Sequence, residues 1–194
     1  MFTGIITHLG KIVEKSDTRL VIEPQKGLLE KFEKGLSVAI DGICLTVVAF
    51  DDQTFSIDFM PETAKKTNIE QLKIGSMVNL ELPATGATFL SGHVVQGHVD
   101  GVGTIESIAK EGNSYLFVFH LPQNLTKYIV EKGSISVNGI SLTVIDSTED
   151  AFSVGIIPHT WDHTMLHTAK EGDKINIEVD VLAKYIEKLL RKNP

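Results

Sequence analysis

Gly42-Ile43-Cys44-Leu45-Thr46-Val47 and Gly139-Ile140-Ser141-Leu142-Thr143-Val144 differ at one residue and stand 97 positions apart. The correspondence extends outward from them: Leu36 to Pro83 lies without a gap on Gly133 to Asp180. Phe55-Ser56 meets Phe152-Ser153, Pro61 and Thr63 meet Pro158 and Thr160, and Asn79 and Glu81 meet Asn176 and Glu178. Upstream, a shift of one residue brings Pro24-Gln25 onto Pro122-Gln123 and Glu33-Lys34-Gly35 onto Glu131-Lys132-Gly133. The opening Gly4-Ile5-Ile6 and Gly10 fall on Gly97-His98-Val99 and Gly103. Self-similarity sustained this far marks a duplicated unit. The 194 residues therefore read as two modules, 1–86 and 87–180, with a seam near residues 86–96 and a tail over 181–194.

Each module reads as mostly strand. Leu36 to Ile40, Leu45 to Phe50, Thr54 to Phe59 and Met77 to Leu82 are short, rich in β-branched and aromatic residues, and bounded by Gly, Asp or Pro. Asp41-Gly42 and Asn138-Gly139 are tight-turn signals at matching places. Short antiparallel strands at this spacing predict an all-β fold of two Greek-key barrels in tandem. One short helix per copy is expected after Pro24 and after Pro122, the second closed by Gly133. From Val181 to Lys192 the period changes: Leu182, Tyr185, Ile186, Leu189 and Leu190 recur at helical spacing. Two readings of this helix stand open, a helix packed on its own barrel and an oligomer contact.

Composition narrows the function. A net charge of −7 leaves no basic footprint for nucleic acid and is repelled by anionic membrane surfaces. The longest apolar runs, such as Val47 to Phe50, are strand-sized, and the opening residues lack the basic region of a signal peptide. The single cysteine, Cys44, excludes an internal disulfide framework and fits a reducing cytoplasm. No Gly-rich phosphate loop, metal-spaced cysteine set or nucleophile elbow is present. His93 and His98 stand five apart, on opposite faces of an extended strand, so no metal site is expected of them.

The differences between the copies carry the chemical information. Cys44 becomes Ser141, Ile5 becomes His98 and Pro83 becomes Asp180. A duplicated module gives two similar pockets, and ionisable substitutions in one copy give two bound molecules different roles. Each has a plainer reading when taken singly: Cys44 as a small core residue, Ser141 and Thr143 as partners of backbone groups at the barrel rim.

The opening Met-Phe-Thr-Gly-Ile, the central run Ser91-Gly92-His93-Val94-Val95-Gln96-Gly97-His98-Val99-Asp100-Gly101, the paired Gly-Ile-Cys/Ser-Leu-Thr-Val segments and the ending Gly172 to Asp180 with Lys184-Tyr185 resemble the riboflavin synthase family over essentially the whole chain. The resemblance implies two six-stranded barrels and a C-terminal helix that joins three chains. It also implies an enzyme that moves a four-carbon unit between two molecules of 6,7-dimethyl-8-ribityllumazine, giving riboflavin and 5-amino-6-(D-ribitylamino)uracil without cofactor or metal. The reaction site would lie between the N-terminal barrel of one chain and the C-terminal barrel of its neighbour. Association with a lumazine synthase shell stays open. A non-catalytic lumazine- or flavin-binding protein of the same fold is the alternative.

Carried over by position, the first pocket comprises Gly4, Ile5 and Ile6, Cys44, Leu45 and Thr46, and Asp58, Phe59, Met60, Pro61, Glu62 and Thr63. The second comprises Gly97, His98 and Val99, Lys132, Ser141, Leu142 and Thr143, and Gly155, Ile156, Ile157, Pro158, His159 and Thr160. The catalytic candidates are His98, Ser141, Cys44, Asp180 and Thr143. The substrate's 7-methyl group is acidic because its anion delocalises over the rings, and histidine is the residue type that exchanges protons near neutral pH. The chain departs from the family pattern at Leu82-Pro83, at Ser91 and in the short loop from Ala84 to Phe89, all outside the catalytic set.

Overall fold

A computed structural model describes residues 1–191. The tail read as 181–194, and the helix read as reaching Lys192, run past the described residues. The first barrel holds β1 (His8–Lys15), β2 (Arg19–Pro24), β3 (Ser37–Ile40), β4 (Ile43–Phe50), β5 (Phe55–Asp58) and β6 (Met77–Glu81), closed in the order β1-β2-β5-β4-β3-β6. The second holds β7 (Gly101–Glu111), β8 (Ser114–His120), β9 (Ser134–Val137), β10 (Ile140–Ser147), β11 (Ala151–Ile156) and β12 (Lys174–Val179), in the equivalent circular order. All pairings are antiparallel.

Alternation along the strands fills each barrel. Leu20, Ile22, Val38 and Ile57 point into the first, and Phe117, Phe119, Ile135 and Val154 into the second. Pairing slips by one residue at Ile12/Glu14 and Val47/Ala49, and again at Ile105/Ser107 and Val144/Asp146. Such bulges bend a strand and sharpen its twist. Their repetition shows that curvature was duplicated along with sequence.

The two tight turns meet back to back. Asp41 and Gly42 have φ of 45° and 77°, Asn138 and Gly139 have 45° and 79°, the positive values that a two-residue hairpin turn demands. A Cβ on Gly42 would stand 2.6 Å from the Gly139 nitrogen, and one on Gly139 2.7 Å from the Gly42 nitrogen. Buried amides close the junction with twofold regularity. Asn79 Nδ2 donates to the Asn138 carbonyl and Asn176 Nδ2 to the Asp41 carbonyl, both at 2.9 Å. The Met165 and Asn68 backbone N–H groups donate in turn to the side-chain oxygens of Asn79 and Asn176, both at 2.7 Å.

Some expectations change. The helices expected after Pro24 and Pro122 reduce to a 3-10 turn, Leu29–Lys31, and a single turn, α2 (Gln123–Thr126). Two helices absent from the sequence reading, α1 (Pro61–Lys66) and α3 (Pro158–His163), start at prolines whose fixed φ suits a first helical position. The one-residue shift that set Gly35 on Gly133 does not hold in space. The Gly35 and Lys132 N–H groups donate to the equivalent carbonyls of Val47 and Val144, and both residues have positive φ, 85° and 61°. Lys132 thus occupies a left-handed position that the first copy gives to glycine.

The tail forms α4 (Val181–Leu190), with Asp180 Oδ1 accepting from the Leu182 N–H at 2.9 Å as an N-cap. Polar pairs fasten it to its own barrel: Lys184 with Asp100, and Glu187 with Lys127 and Tyr128. Leu182, Tyr185, Ile186, Leu189 and Leu190 stay exposed.

The twofold regularity breaks at Asp41. Its Oδ1 accepts from the Asn79 N–H at 2.8 Å, but Oδ2 is buried with no partner, whereas Asn138 Nδ2 donates to the Met165 sulfur. Burial pushes the Asp41 carboxyl from 3.8 up to about 7, against the pull of the hydrogen bond it accepts from the Asn79 N–H. A carboxyl raised on folding lends its stability fully below its unfolded pKa and loses it as pH rises through the folded value, here the window from about 4 to about 7. Asp41→Asn, which copies the second module, should flatten that loss and leave the variant roughly 1–3 kcal/mol more stable than the parent at about pH 8. Urea unfolding at about pH 5 and about pH 8 measures it; an unchanged pH slope would contradict the assignment.

Candidate functional site

Glu81 and Glu178, on the last strand of each barrel, are 4% and 3% exposed in otherwise apolar surroundings. Glu81 accepts from the Thr3 N–H and hydroxyl, both at 2.7 Å, and from the Gly4 N–H at 3.0 Å. Glu178 accepts from the N–H groups of Gln96, Gly97 and His98 at 2.6, 2.9 and 3.0 Å. Burial raises both carboxyls, and the converging donors pull them back. A buried carboxylate is tolerated where its oxygens are met by donors. Each carboxylate thereby anchors the segment that leads into its own barrel.

Each anchored segment lies over the other barrel. The Gly4 carbonyl accepts from the Ser141 N–H at 2.8 Å, and the Gly97 carbonyl accepts from the Cys44 N–H at 2.9 Å. Ile6 packs on the second core and Val99 on the first. Gly4 and Gly97 have φ of 77° and 80°, and a Cβ on either would sit 2.6 or 2.5 Å from the Cβ of Ser141 or Cys44. The grouping carried over by position is therefore corrected: Gly4 to Ile6 belong with Ser141, and Gly97 to Val99 with Cys44. A constant offset equates the two leaders but cannot show that they are exchanged.

The other predicted residues sit as follows. Cys44 and Ser141 are half-buried at the starts of β4 and β10; Leu45 and Leu142 enter the cores, and Thr46 and Thr143 face outward. Asp58 is engaged by Arg19 through two hydrogen bonds of 2.6 and 3.0 Å. Phe59 and Ile156 are core residues, whereas Met60 and Ile157 are 68% and 58% exposed just before α1 and α3. Pro61, Glu62, Pro158 and His159 are exposed on the first turns of those helices, and Thr63 and Thr160 half-buried within them. The His159 ring stacks on His163 at 4.3 Å. Gly155 and Lys132 are exposed, as are Ile5 and His98. Asp180 serves as the α4 cap, and its carboxylate acts on His93.

Two features escaped the sequence reading. Glu81 and Glu178 form a repeated acidic pair inside apolar strands, a signal visible in the alignment of the copies. His93 is not: it is buried, and its Nδ1 lies 2.7 Å from Ser141 Oγ, a contact that sequence spacing does not encode. Among the described residues no cluster of three or more His, Cys, Asp or Glu side chains forms a metal-binding arrangement.

The family model described as the lumazine binding domain matches residues 3–83 and again 96–180. The riboflavin synthase of Actinobacillus pleuropneumoniae is 41% identical over 197 residues, covering 100% of this chain and 92% of that protein. The riboflavin synthase of Bacillus subtilis (strain 168) is 41% identical, covering 99% of this chain and 91% of the relative. Among solved structures, LumP complexed with riboflavin superposes with a TM-score of 0.85 at 27% identity, covering 92% of this chain and 99% of that one. LumP complexed with 6,7-dimethyl-8-(1'-D-ribityl) lumazine gives 0.82 at 26% identity, with the same coverage.

Replacing one anchoring carboxylate tests this architecture. Glu178→Gln turns an amide toward three N–H donors, and should cost on the order of 1–3 kcal/mol. Amide hydrogen exchange at Gly97 and His98 should accelerate while the β8 core stays protected. Uniform acceleration across both barrels would show a general loss of stability in place of a released leader.

Proposed function

The chain belongs to the lumazine-binding-domain family, with riboflavin synthases as its full-length relatives, and from that premise we propose that it is itself a riboflavin synthase. In this reading it takes two molecules of 6,7-dimethyl-8-ribityllumazine and transfers a four-carbon unit between them, releasing riboflavin and 5-amino-6-(D-ribitylamino)uracil. The observation that carries it is the double match: both barrels correspond to the lumazine binding domain, and the chain aligns end to end with the synthases. The non-catalytic alternative is disfavoured because identity reaches 41%, over essentially the whole chain, to proteins that are riboflavin synthases.

Two pockets of like shape and unlike chemistry suit a reaction in which identical molecules play different parts. Each pocket joins strand-edge backbone groups to the leader of the other barrel, at Cys44 with Gly97 and at Ser141 with Gly4. Backbone donors and acceptors at such an edge read the pyrimidine ring, and side chains on the first turns of α1 and α3, Glu62 and His159, serve the ribityl chain. Ser141 and Cys44 supply proton-bearing groups, with His98 on the leader beside Cys44 as the proton-exchanging residue. Juxtaposing both molecules removes association entropy before any bond forms.

The apolar stripe of α4 points away from the barrel that its polar residues grip, which favours the oligomer reading of the two left open. The stripe suits a homotrimer joined through these helices, with the N-terminal barrel of one chain facing the C-terminal barrel of the next. Transferase chemistry and a cytoplasmic setting belong to the same proposal.

Incubating the pure protein with the lumazine alone tests the activity. Riboflavin fluorescence should appear, one riboflavin and one ribitylaminouracil per two lumazines, with chelators making no difference. Unconverted lumazine, or inactivation by EDTA that zinc reverses, would refute it. Truncation after Asp180 tests the assembly: the product should be monomeric by light scattering and should retain ligand binding with turnover reduced about tenfold or more. A trimeric, fully active truncation would remove α4 from that role.

A further inference from the structure

We propose, resting on the synthase reading, that His93 is a positioning residue that fixes the Ser141 hydroxyl as a hydrogen-bond donor into the second-barrel pocket, a device that the first-barrel pocket lacks. His93 is 8% exposed, and its Nδ1 lies 2.7 Å from Ser141 Oγ. Its backbone N–H donates to the Thr3 carbonyl at 3.2 Å. The preceding Gly92 comes so close that a Cβ there would stand 2.7 Å from Ser141 Cβ and 2.8 Å from its Oγ. The run Gly92-His93 is thus laid over the serine, in contact with the same leader that completes the pocket.

The tautomer follows from burial. Desolvation lowers the pKa of the imidazole below 6.5, with the Asp180 carboxylate pulling the other way, so the ring is neutral at pH 7. A neutral ring carries one N–H and one lone pair. Among the described residues Nε2 is buried without a partner, and an orphaned buried N–H is rarer than an orphaned acceptor. The proton therefore sits on Nδ1 and is donated to Ser141 Oγ. The Ser141 hydroxyl proton, relieved of pairing with the ring, is left to point at an acceptor atom of the bound ring system. A fixed donor there stabilises negative charge that develops on the ligand, as it does when a methyl proton leaves the lumazine.

The first pocket has nothing equivalent. Among the described residues no histidine hydrogen-bonds the Cys44 thiol as His93 does the Ser141 hydroxyl. Cys44, in the place of Ser141, is a free thiol packed against Phe2, Ala39 and Val95, and a thiol is only a weak donor. The asymmetry between the pockets is therefore larger than one exchanged residue: a buttressed hydroxyl faces one ligand and an unbuttressed thiol the other.

The test uses the full-length protein in its native assembly and compares His93→Asn, His93→Phe, Ser141→Ala and the double variant His93→Phe/Ser141→Ala. Asparagine restores a polar group at the Nδ1 position but loses ring volume; phenylalanine keeps the ring and removes both nitrogens. His93→Phe should lower kcat about tenfold or more with KM changed less than about twofold. His93→Asn should stay within about threefold of the parental kcat while melting lower than His93→Phe. The double variant should be no slower than Ser141→Ala, because the histidine acts through the serine. Activity that follows melting temperature, or a double variant in which the two losses multiply, would make His93 a packing residue and overturn the proposal. If the parent converts lumazine and His93→Phe keeps pace, only the role of His93 falls. If the parent leaves lumazine unchanged, the synthase reading falls and this inference with it.

Discussion

A carboxylate buried at the end of each barrel's last strand is the interaction on which the placement of both leaders depends. Glu81 and Glu178 draw three donors each from an otherwise irregular leader and hold its backbone in place. Beside that anchor the two leaders hold each other through the reciprocal bonds of Phe2 and Val95. With the anchor in place, a single carbonyl on each leader reaches the start of β4 or β10 in the other barrel. The contacts between leader and barrel are in this sense built by two acids, and the cost of burying them is offset by the donors they gather.

The barrels themselves were legible because duplication amplifies weak signals. Asp41-Gly42 alone is an ordinary turn dipeptide; the same turn repeated as Asn138-Gly139, with strands of equal length on both sides, fixes the hairpins and their register. What stayed hidden has a common physical origin. β1 and β2 carry charged residues on their outer face, so their alternation is blurred. The exchange of leaders is a three-dimensional fact about chain crossing, and an alignment of copies is blind to it. Asp58 reads as a free carboxylate until Arg19, across the β2–β5 pair, is seen to hold it.

Duplication also left a record of divergence at points where symmetry is physically tested. The junction tolerates Asn68 against Met165 because the bond there is made by the backbone N–H, donated to Asn176 or Asn79, and Asp41 against Asn138 because the Oδ1 of either accepts from the facing backbone N–H. Gly35 against Lys132 keeps the left-handed turn at some conformational cost. These differences sit in the scaffold. Cys44 against Ser141 sits where each barrel meets the leader of the other, and there the divergence exchanges a thiol for a hydroxyl.

The back-to-back contact of Gly42 and Gly139 also bears on ancestry. If each barrel finishes its pocket with the leader of the other, a chain of half this length holds only an unfinished pocket. Two such half-chains, related by a twofold axis, would each lend a leader to the other and close both, glycine against glycine at the axis. Fusion of the two genes would have kept that arrangement intact while freeing each half to change alone. The present chain holds, in one backbone, two halves that complete each other about this approximate twofold axis.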